Sequence, residues 1–562
     1  MTDDLANDVI EQFEQLNSDR VTWLEHWQRI ANYVLPNRND YIVQKTPGQR
    51  RNQWIYDSTP VWANEMFAAG IHDIATSQTL PWFSLRTDDD RLNAKQNVRL
   101  WLDDTSQRML NVYNSERHNF SSMAHEMYLD LGCIGTGVMA QLESARSGIL
   151  FSTRHLKECV IAENEEGRVD TLIRKWTYTA KQAVQAWGEA AGKDVMKAAE
   201  ETPQRPFTFL HRARPRLTRD PSRADAKNKP WESAYVCQDS RHTIHEGGFN
   251  EFPYHVPRWS KVSGEIYGRG PGVMMLADVQ MLNEMVRTVL KGAQKVVDPP
   301  LQLPDDGFLV PIKTTPGSLN FYRAGTRDRI EPIETRGDTR LGIEMLNSLR
   351  TQIMRGWYVD MLLMPTDPND PASAGKGVTA TYTLHQRDQH MRLLSGIWAR
   401  MRSEFLGTLI DRTFGIMMRQ SIARKFGPGT MLLPPPEELH GRPLRVEYVS
   451  PIAIAQRTSQ LDGIGRLVQT AQLLGTADPN APRVLDAEAI MRIAARDLNT
   501  PAAALKTKEQ MQAEREQEAQ AQAELNAHTQ ALAQAKALRD GASGLQSLSA
   551  AVGGVPTQEV AA

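Results

Sequence analysis

The sequence predicts a mainly helical α+β fold in a subunit that packs against copies of itself. Three observations carry this. Apolar residues recur at helical spacing over most of the chain. One block, 138–177, instead reads as short strands punctuated by glycine turns. A helix following Gly272 carries Met275, Val279, Leu282, Val286, Val289, Ala293 and Val296, at spacings of 4, 3, 4, 3, 4 and 3. That heptad-like seam is more regular than a single core contact requires; it suits a helix packed against copies of itself, or else against a partner helix of its own chain.

In chain order, Leu5, Val9, Phe13, Leu16, Trp23, Trp27, Ile30 and Val34 predict an amphipathic helix over 5–34, ended by Pro36. Helices follow over 60–80 and 95–131, the second stopping at Gly132. Gly135-Thr-Gly137 opens the strand block, with strands over Val138–Leu142, Ile149–Thr153, Cys159–Ala162 and Val169–Thr177. Glu166-Gly167 makes a hairpin turn between the last two. Residues 180–200 are helical again. The segment 203–230 is proline-rich and basic, with Arg212, Arg214, Arg216, Arg219, Arg223, Lys227 and Lys229 against Asp220 and Asp225. It reads first as a solvated insertion between strands, and second as a basic loop for a phosphate backbone.

The seam helix ends at Asp298-Pro-Pro300, and about 26 residues at about 1.5 Å rise make a rod of roughly 39 Å. Short strands, Phe308–Ile312 and Leu319–Arg323, fall within 298–339. A second long helix runs over about 340–362, with Leu346, Leu349, Ile353, Trp357 and Met361 on one face. Met364 to Gly377 holds three prolines and two glycines, which exclude regular structure and predict a mobile loop. A third helix spans 378–425, with eight Arg/Lys against three Asp/Glu and possible bends at Gly396, Gly407 and Gly415. Shorter helices, Gln456–Leu474 and Asp486–Asp497, follow. An Ala/Gln/Glu-rich helical stretch lies over 505–540, and the last twenty residues read as disordered.

The 562 residues balance 65 Lys+Arg against 67 Asp+Glu, for a formal charge of −2. A chain that coats nucleic acid is usually strongly basic, so non-specific gripping is excluded. A mean hydropathy of −0.47 and the lack of an 18-residue apolar run predict no membrane span. Met1-Thr-Asp-Asp-Leu5 lacks a leader pattern, so none is expected. Cys133, Cys159 and Cys237 are widely separated, which argues against a disulfide framework and for a reducing compartment.

No catalytic constellation assembles. Ala374-Gly-Lys-Gly377 imitates a phosphate loop, but Asp370 stands at the first glycine position and Gly377 at the hydroxyl position. Gly268-Arg-Gly-Pro-Gly272 is a turn into a helix, with Pro271 near the first helical position, rather than a dinucleotide fingerprint. His242, His245 and His255 with Glu246 lie on strand and loop, where metalloprotease spacing would need a helix. Asp88-Asp-Asp90 and Asp103-Asp104 read as solvated charge. The expectation is therefore no catalytic residue, no metal and no cofactor.

Ordered motifs add a resemblance. Glu246-Gly-Gly-Phe-Asn-Glu-Phe-Pro-Tyr-His-Val-Pro-Arg-Trp259 and Gly264-Glu-Ile-Tyr-Gly-Arg-Gly-Pro271 resemble the bacteriophage head-to-tail connector, or portal, family of short-tailed phages. Leu276-Ala-Asp278, Leu282-Asn-Glu-Met285, Asp298-Pro-Pro300 and Val378-Thr-Ala-Thr381 continue the likeness downstream. Tyr33-Val-Leu-Pro36, Asp57-Ser-Thr59 and Pro81-Trp-Phe83 extend it upstream. It covers roughly 5–450 and departs at Tyr382, where an acidic residue is expected.

The resemblance implies a portal fold in a ring, usually of twelve subunits, at one capsid vertex, and a non-enzymatic role. It implies a wing over 1–268, a first stem helix over 269–297 and a clip over 298–339. A second stem helix (340–362) and a tunnel loop (363–377) would follow. The long wing helix and return strands would occupy 378–450, the crown 451–500, and a barrel or disordered tail 501–562. Double-stranded DNA would pass Met364, Thr366, Asp367, Asn369, Asp370, Ser373 and Lys376 of the loop. The terminase large subunit, then tail adaptor and tail tube proteins, would dock on the clip at Arg323, Arg327 and Arg329. Scaffolding and major capsid proteins would surround the ring, assembled in the host cytoplasm and retained in the virion. A near-neutral chain suits this, because each cation facing duplex DNA adds salt-sensitive grip that sliding must break. Two alternatives stand beside it: an enzyme subunit of the packaging machinery, and a coiled-coil scaffold.

Overall fold

The computed structural model describes residues 4–302 with a few short gaps, 331–332, 339–362, 394–423, and most of 432–448. It also describes scattered residues between 463 and 494, and the helix 508–552. The architecture is α+β and mainly helical, as expected.

The first amphipathic stretch is two helices, α1 (Asp4–Asp19) and α2 (Val21–Val34). The break at Arg20 has a tertiary cause. Its buried guanidinium donates to the Leu156, Cys159 and Lys157 carbonyls at 2.9, 2.6 and 2.7 Å. Satisfying those carbonyls fixes the turn there. Helix α3 (Thr59–Ala75) is followed by β1 (Phe83–Thr87) and a single turn, α4 (Asp90–Asn93). The predicted 95–131 helix is also split, into α5 (Gln96–Asn114) and α6 (Phe120–Ile134), around Asn119 at φ 58°. Gly132 does not end α6. It is required there because a Cβ would stand 2.2 Å from Asn64 Oδ1.

Strands β2 (Met139–Ser144), β3 (Gly148–Thr153), β4 (Cys159–Glu163) and β5 (Val169–Thr179) match the predicted block closely. Gly167 takes φ +73° in the turn, where Asn164 Oδ1 accepts from the Glu166 and Arg168 amides. Residues 180–200 form two helices, α7 (Ala180–Trp187) and α8 (Lys193–Glu201), separated by Gly188 and Gly192 at positive φ. About a third of the basic segment is strand. Pro206–Pro215 is β6, followed by β7 (Trp231–Cys237), β8 (His242–Phe249) and the short β9 (Tyr254–His255).

The antiparallel sheet β4-β5-β6-β7-β8 keeps sequence order. Trp176, Phe207, Phe209 and Cys237 pack with Ala183 and Val195 of α7 and α8. Val160, Ile173, Leu210 and Val236 pack with Ala6, Val9 and Phe13 of α1. A second sheet, β3-β2-β9, and the helices close the main core around Trp27, Phe67, Tyr113, Tyr128 and Trp259.

A short turn, α9 (Pro271–Met274), leads into α10 (Leu276–Val297). Strands β10 (Leu301–Gln302) and β11 (Glu331–Pro332) pair antiparallel. The predicted strands Phe308–Ile312 and Leu319–Arg323 lie outside the described residues. The second long helix is α11 (Thr339–Gly356), closed by Tyr358 at φ 57°, with one further turn, α12 (Val359–Leu362). The third long helix is described from Leu394: α13 (Ser395–Met401), a π-helical turn (Arg402–Leu406) and α14 (Gly407–Ala423). Its irregularity therefore falls beside Gly407, one of the three glycines flagged as bends. Strand β12 (Leu444–Tyr448) returns to pair with β1, setting Phe83 opposite Tyr448. The terminal helix α15 (Lys508–Val552) passes through Gly541 and Gly544, so half of the tail expected to be disordered is helical. Most of 450–500 lies outside the described residues.

Candidate functional site

The chain presents a pair of antiparallel helices, α10 and α11, fastened to the core at one end. Met275 lies against Gly356, where a Cβ would meet its Cγ at 2.5 Å, and Val289 lies 3.4 Å from the corresponding point on Gly342. Val279 and Leu282 are buried in one cluster with Leu346, Leu349, Ile353 and Trp357, and Val286 and Val289 pack on its edge. The first five seam residues therefore lie along α11 of the same chain, whereas Val296 is exposed.

Close backbone approach anchors the pair. A Cβ on Gly270 would stand 2.5 Å from the Leu131 carbonyl oxygen, and one on Gly272 2.3 Å from that of Cys133. Gly135, facing them, takes φ +89°. The glycines of Gly268-x-Gly270-x-Gly272 thus let the chain cross the end of α6, with Pro271 at the start of α9.

Arg258 joins the anchor to the third helix. It is fully buried, and its guanidinium donates to Glu404, Glu163 and the Ile266 and Gly167 carbonyls. Lys261 completes Glu163 at 2.7 Å. Burial pushes the Arg258 pKa down, and Glu404 and Glu163 outweigh this, so the net shift is upward. Farther along, Glu251 accepts from Arg412 and Arg419, filling the space a Gly415 side chain would need.

A strap crosses the helix pair. The Asn283 amide of α10 accepts from the Tyr56 N–H at 2.7 Å and donates to the Trp54 carbonyl at 3.0 Å. Asp57 accepts from Arg350 Nε and Nη2 of α11 at 3.0 and 2.8 Å, and from the Thr59 N–H at 2.8 Å. Burial raises the Asp57 pKa, but the Thr59 and Arg350 hydrogen bonds prevail and lower it overall. The motif Asp57-Ser-Thr59 thus has a mechanical reason: it ties the strap to α11 while opening α3.

The model of the bacteriophage head to tail connecting protein family matches residues 6–505. The chain belongs to that family. Among relatives, the connector is 30% identical to the probable portal protein of Bordetella phage BPP-1 over 487 residues, 85% of this chain and 84% of the relative. It is 28% identical to the portal protein of Salmonella phage epsilon15 over 486 residues, again 85% and 84%.

Several predicted sites of the connector can be placed and others cannot. Met364, Thr366, Asp367, Asn369, Asp370, Ser373 and Lys376 lie outside the described residues, as do Arg323, Arg327, Arg329 and the 374–377 phosphate-loop mimic. The β10–β11 pair stands at the base of the segment carrying the three arginines. Five of the seven cations of the basic segment are ion-paired, Arg223 with Asp220 among them. Arg212 and Arg214 both bind Asp8 and Glu232, while Arg216 and Lys227 bind Glu246.

The three histidines do not converge. His242 lies against Gly192, His245 against Gly247, and buried His255 bonds Thr408 at 2.8 Å and Gln141 at 2.9 Å. Among the described residues no group of three metal-binding side chains occurs. Among them, too, no helix is long and apolar enough to cross a membrane. Arg20, Arg258, Asn283 and Arg350 were missed from sequence. Their partners are remote, and the motifs Asp57-Ser-Thr59, Leu282-Asn-Glu-Met285 and the run ending in Arg258-Trp259 were the signals near them.

Proposed function

We propose that copies of this connector close into a ring at one capsid vertex, twelve being the family's usual number, and that the central channel carries double-stranded DNA. The terminase large subunit docks during packaging, and tail adaptor and tail tube proteins take its place afterwards. Capsid and scaffolding proteins surround the ring. The family match over 6–505, with two portal relatives spanning 84% of their own lengths, carries this reading. The near-neutral charge supports a conduit, because a channel that grips phosphates would stall the DNA. Residues 363–377 are the channel-facing loop in this reading, and Arg323, Arg327 and Arg329 the docking end. The ring is assembled in the host cytoplasm and remains in the virion.

Negative-stain imaging of the purified full chain tests the proposal. Rings with a central hole are expected, and a uniformly monomeric preparation at micromolar concentration would overturn it. An ATP hydrolysis assay on the same material separates it from the packaging-enzyme alternative, with no turnover expected.

A further inference from the structure

Of the twelve tryptophans, all within the described residues, only Trp54 and Trp62 are largely exposed, at 61% and 50%. They lie eight positions apart, at either side of the anchored strap, with Tyr56 also exposed between them. A monomer gains nothing by displaying three large aromatic rings in one short stretch. The backbone beneath them is immobilised: Asn283 holds Trp54 and Tyr56, Asp57 is paired to Arg350, and the Arg287 guanidinium sits over the Tyr56 ring at 5.8 Å. Rings fixed on a locked backbone lose little entropy when they are covered.

The opposite side of the helix pair displays two exposed methionines. At about 100° per residue, Met281 lies about 160° round α10 from Asn283, and Met345 about 140° round α11 from Arg350. Both methionines are exposed. The antiparallel pairing of Met275 with Gly356 and Val289 with Gly342 places them near the level of the strap. The helix pair thus has an aromatic face and a methionine face. Closed cyclic rings require two different, complementary patches on each subunit, because each copy meets its neighbours head to tail. Methionine is also a favourable and adaptable partner for aromatic rings.

We propose that the strap is the subunit–subunit clasp of the ring: Trp54 and Trp62 of one copy pack on the Met281–Met345 face of the next. The proposal rests on the ring reading above and names the surface that closes the ring. Trp54→Cys combined with Met281→Cys in the full chain, under mild oxidation, should give a ladder of covalent multimers on non-reducing gels. Each single-cysteine variant should give dimers at most, since Cys133, Cys159 and Cys237 are buried. Trp54→Ala/Trp62→Ala should raise the concentration at which half the chains are in rings by more than about tenfold, with the circular dichroism spectrum unchanged. Wild-type rings without a ladder from the double-cysteine chain, or intact rings from a folded double-alanine chain, would overturn the clasp while leaving the portal reading standing. A wild-type chain that forms no rings would overturn both. If the double-alanine chain fails to fold, the cross-link alone decides.

Discussion

Arg258 and Glu404 meet fork to fork, and the Arg258 backbone N–H adds a third bond to Glu404 Oε2 at 3.0 Å. The contact joins the segment leading into α10 to the π-helical turn of the third long helix. A π turn carries one residue more than an α-helical turn and needs a local reason to persist. Here Glu404 is drawn onto Arg258, while the flanking Met401 and Phe405 stay buried.

Removing the arginine strands two carboxylates in a mostly buried site. Arg258→Ala should lower the unfolding free energy by about 3–5 kcal/mol. Adding Glu404→Leu should recover part of that loss. Urea denaturation of the two variants measures both effects.

The turn into α9 has no room for a side chain. Gly272→Ala places a Cβ 2.3 Å from the Cys133 carbonyl oxygen, and backbone cannot yield as a flexible side chain would. A loss of about 1–3 kcal/mol is expected, read as a lower urea midpoint at unchanged m-value.

Acid should weaken the fold through its buried histidines. Burial lowers the pKa of His255 to about 3, and the Arg412 charge adds to this. Burial, with Arg174 and Arg154, lowers His211 to about 3 as well. Both folded values lie below the unfolded value of about 6.5, so the stability they contribute is present above that pH. It is lost as pH falls from about 6.5 toward 3, at up to about 1.4 kcal/mol per pH unit for each histidine. His255→Gln should flatten the slope of stability against pH between 6 and 4, in denaturant titrations at stepped pH.

Two aspartates on α10 should separate folding from assembly. Val286 packs on the core cluster, so Val286→Asp should destabilise the chain by about 1–3 kcal/mol and disperse rings in native mass measurements. Met281 is exposed, so Met281→Asp should leave the melting curve in place and disperse rings alone.

Deleting 366–374 should leave ring assembly intact and reduce the yield of packaged genomes. An undiminished yield, measured as protected DNA after nuclease treatment, would remove the loop from the translocation path.

Much of the fold was legible because periodicity registers burial directly. Val279, Leu282, Leu346 and Ile353 marked the helix pair, and alternating apolar residues marked β2 to β5, whose ends moved by only a few positions. Breaks were less legible. Arg20 and Asn119 interrupt helices without glycine or proline: at Arg20 a cluster of remote carbonyls fixes the break, and Asn119 takes a left-handed conformation. The partner of the seam was also ambiguous. An apolar stripe states that something covers it, and both α11 and a second copy satisfied that condition.

Sequence by itself determined the class of the protein, the order of its elements, its near-neutral charge and its family, because these reside in composition, spacing and ordered motifs. Tertiary structure alone decided which charges are spent inside and which rings remain outside. Arg212, Arg258 and Arg412 look like surface cations in the sequence, yet each is buried against carboxylates brought from distant segments. Trp54 looks like a core residue and is displayed on the surface. The reason is physical: burial and ion pairing depend on how distant segments meet in space, and local sequence records only the tendency to seek such partners.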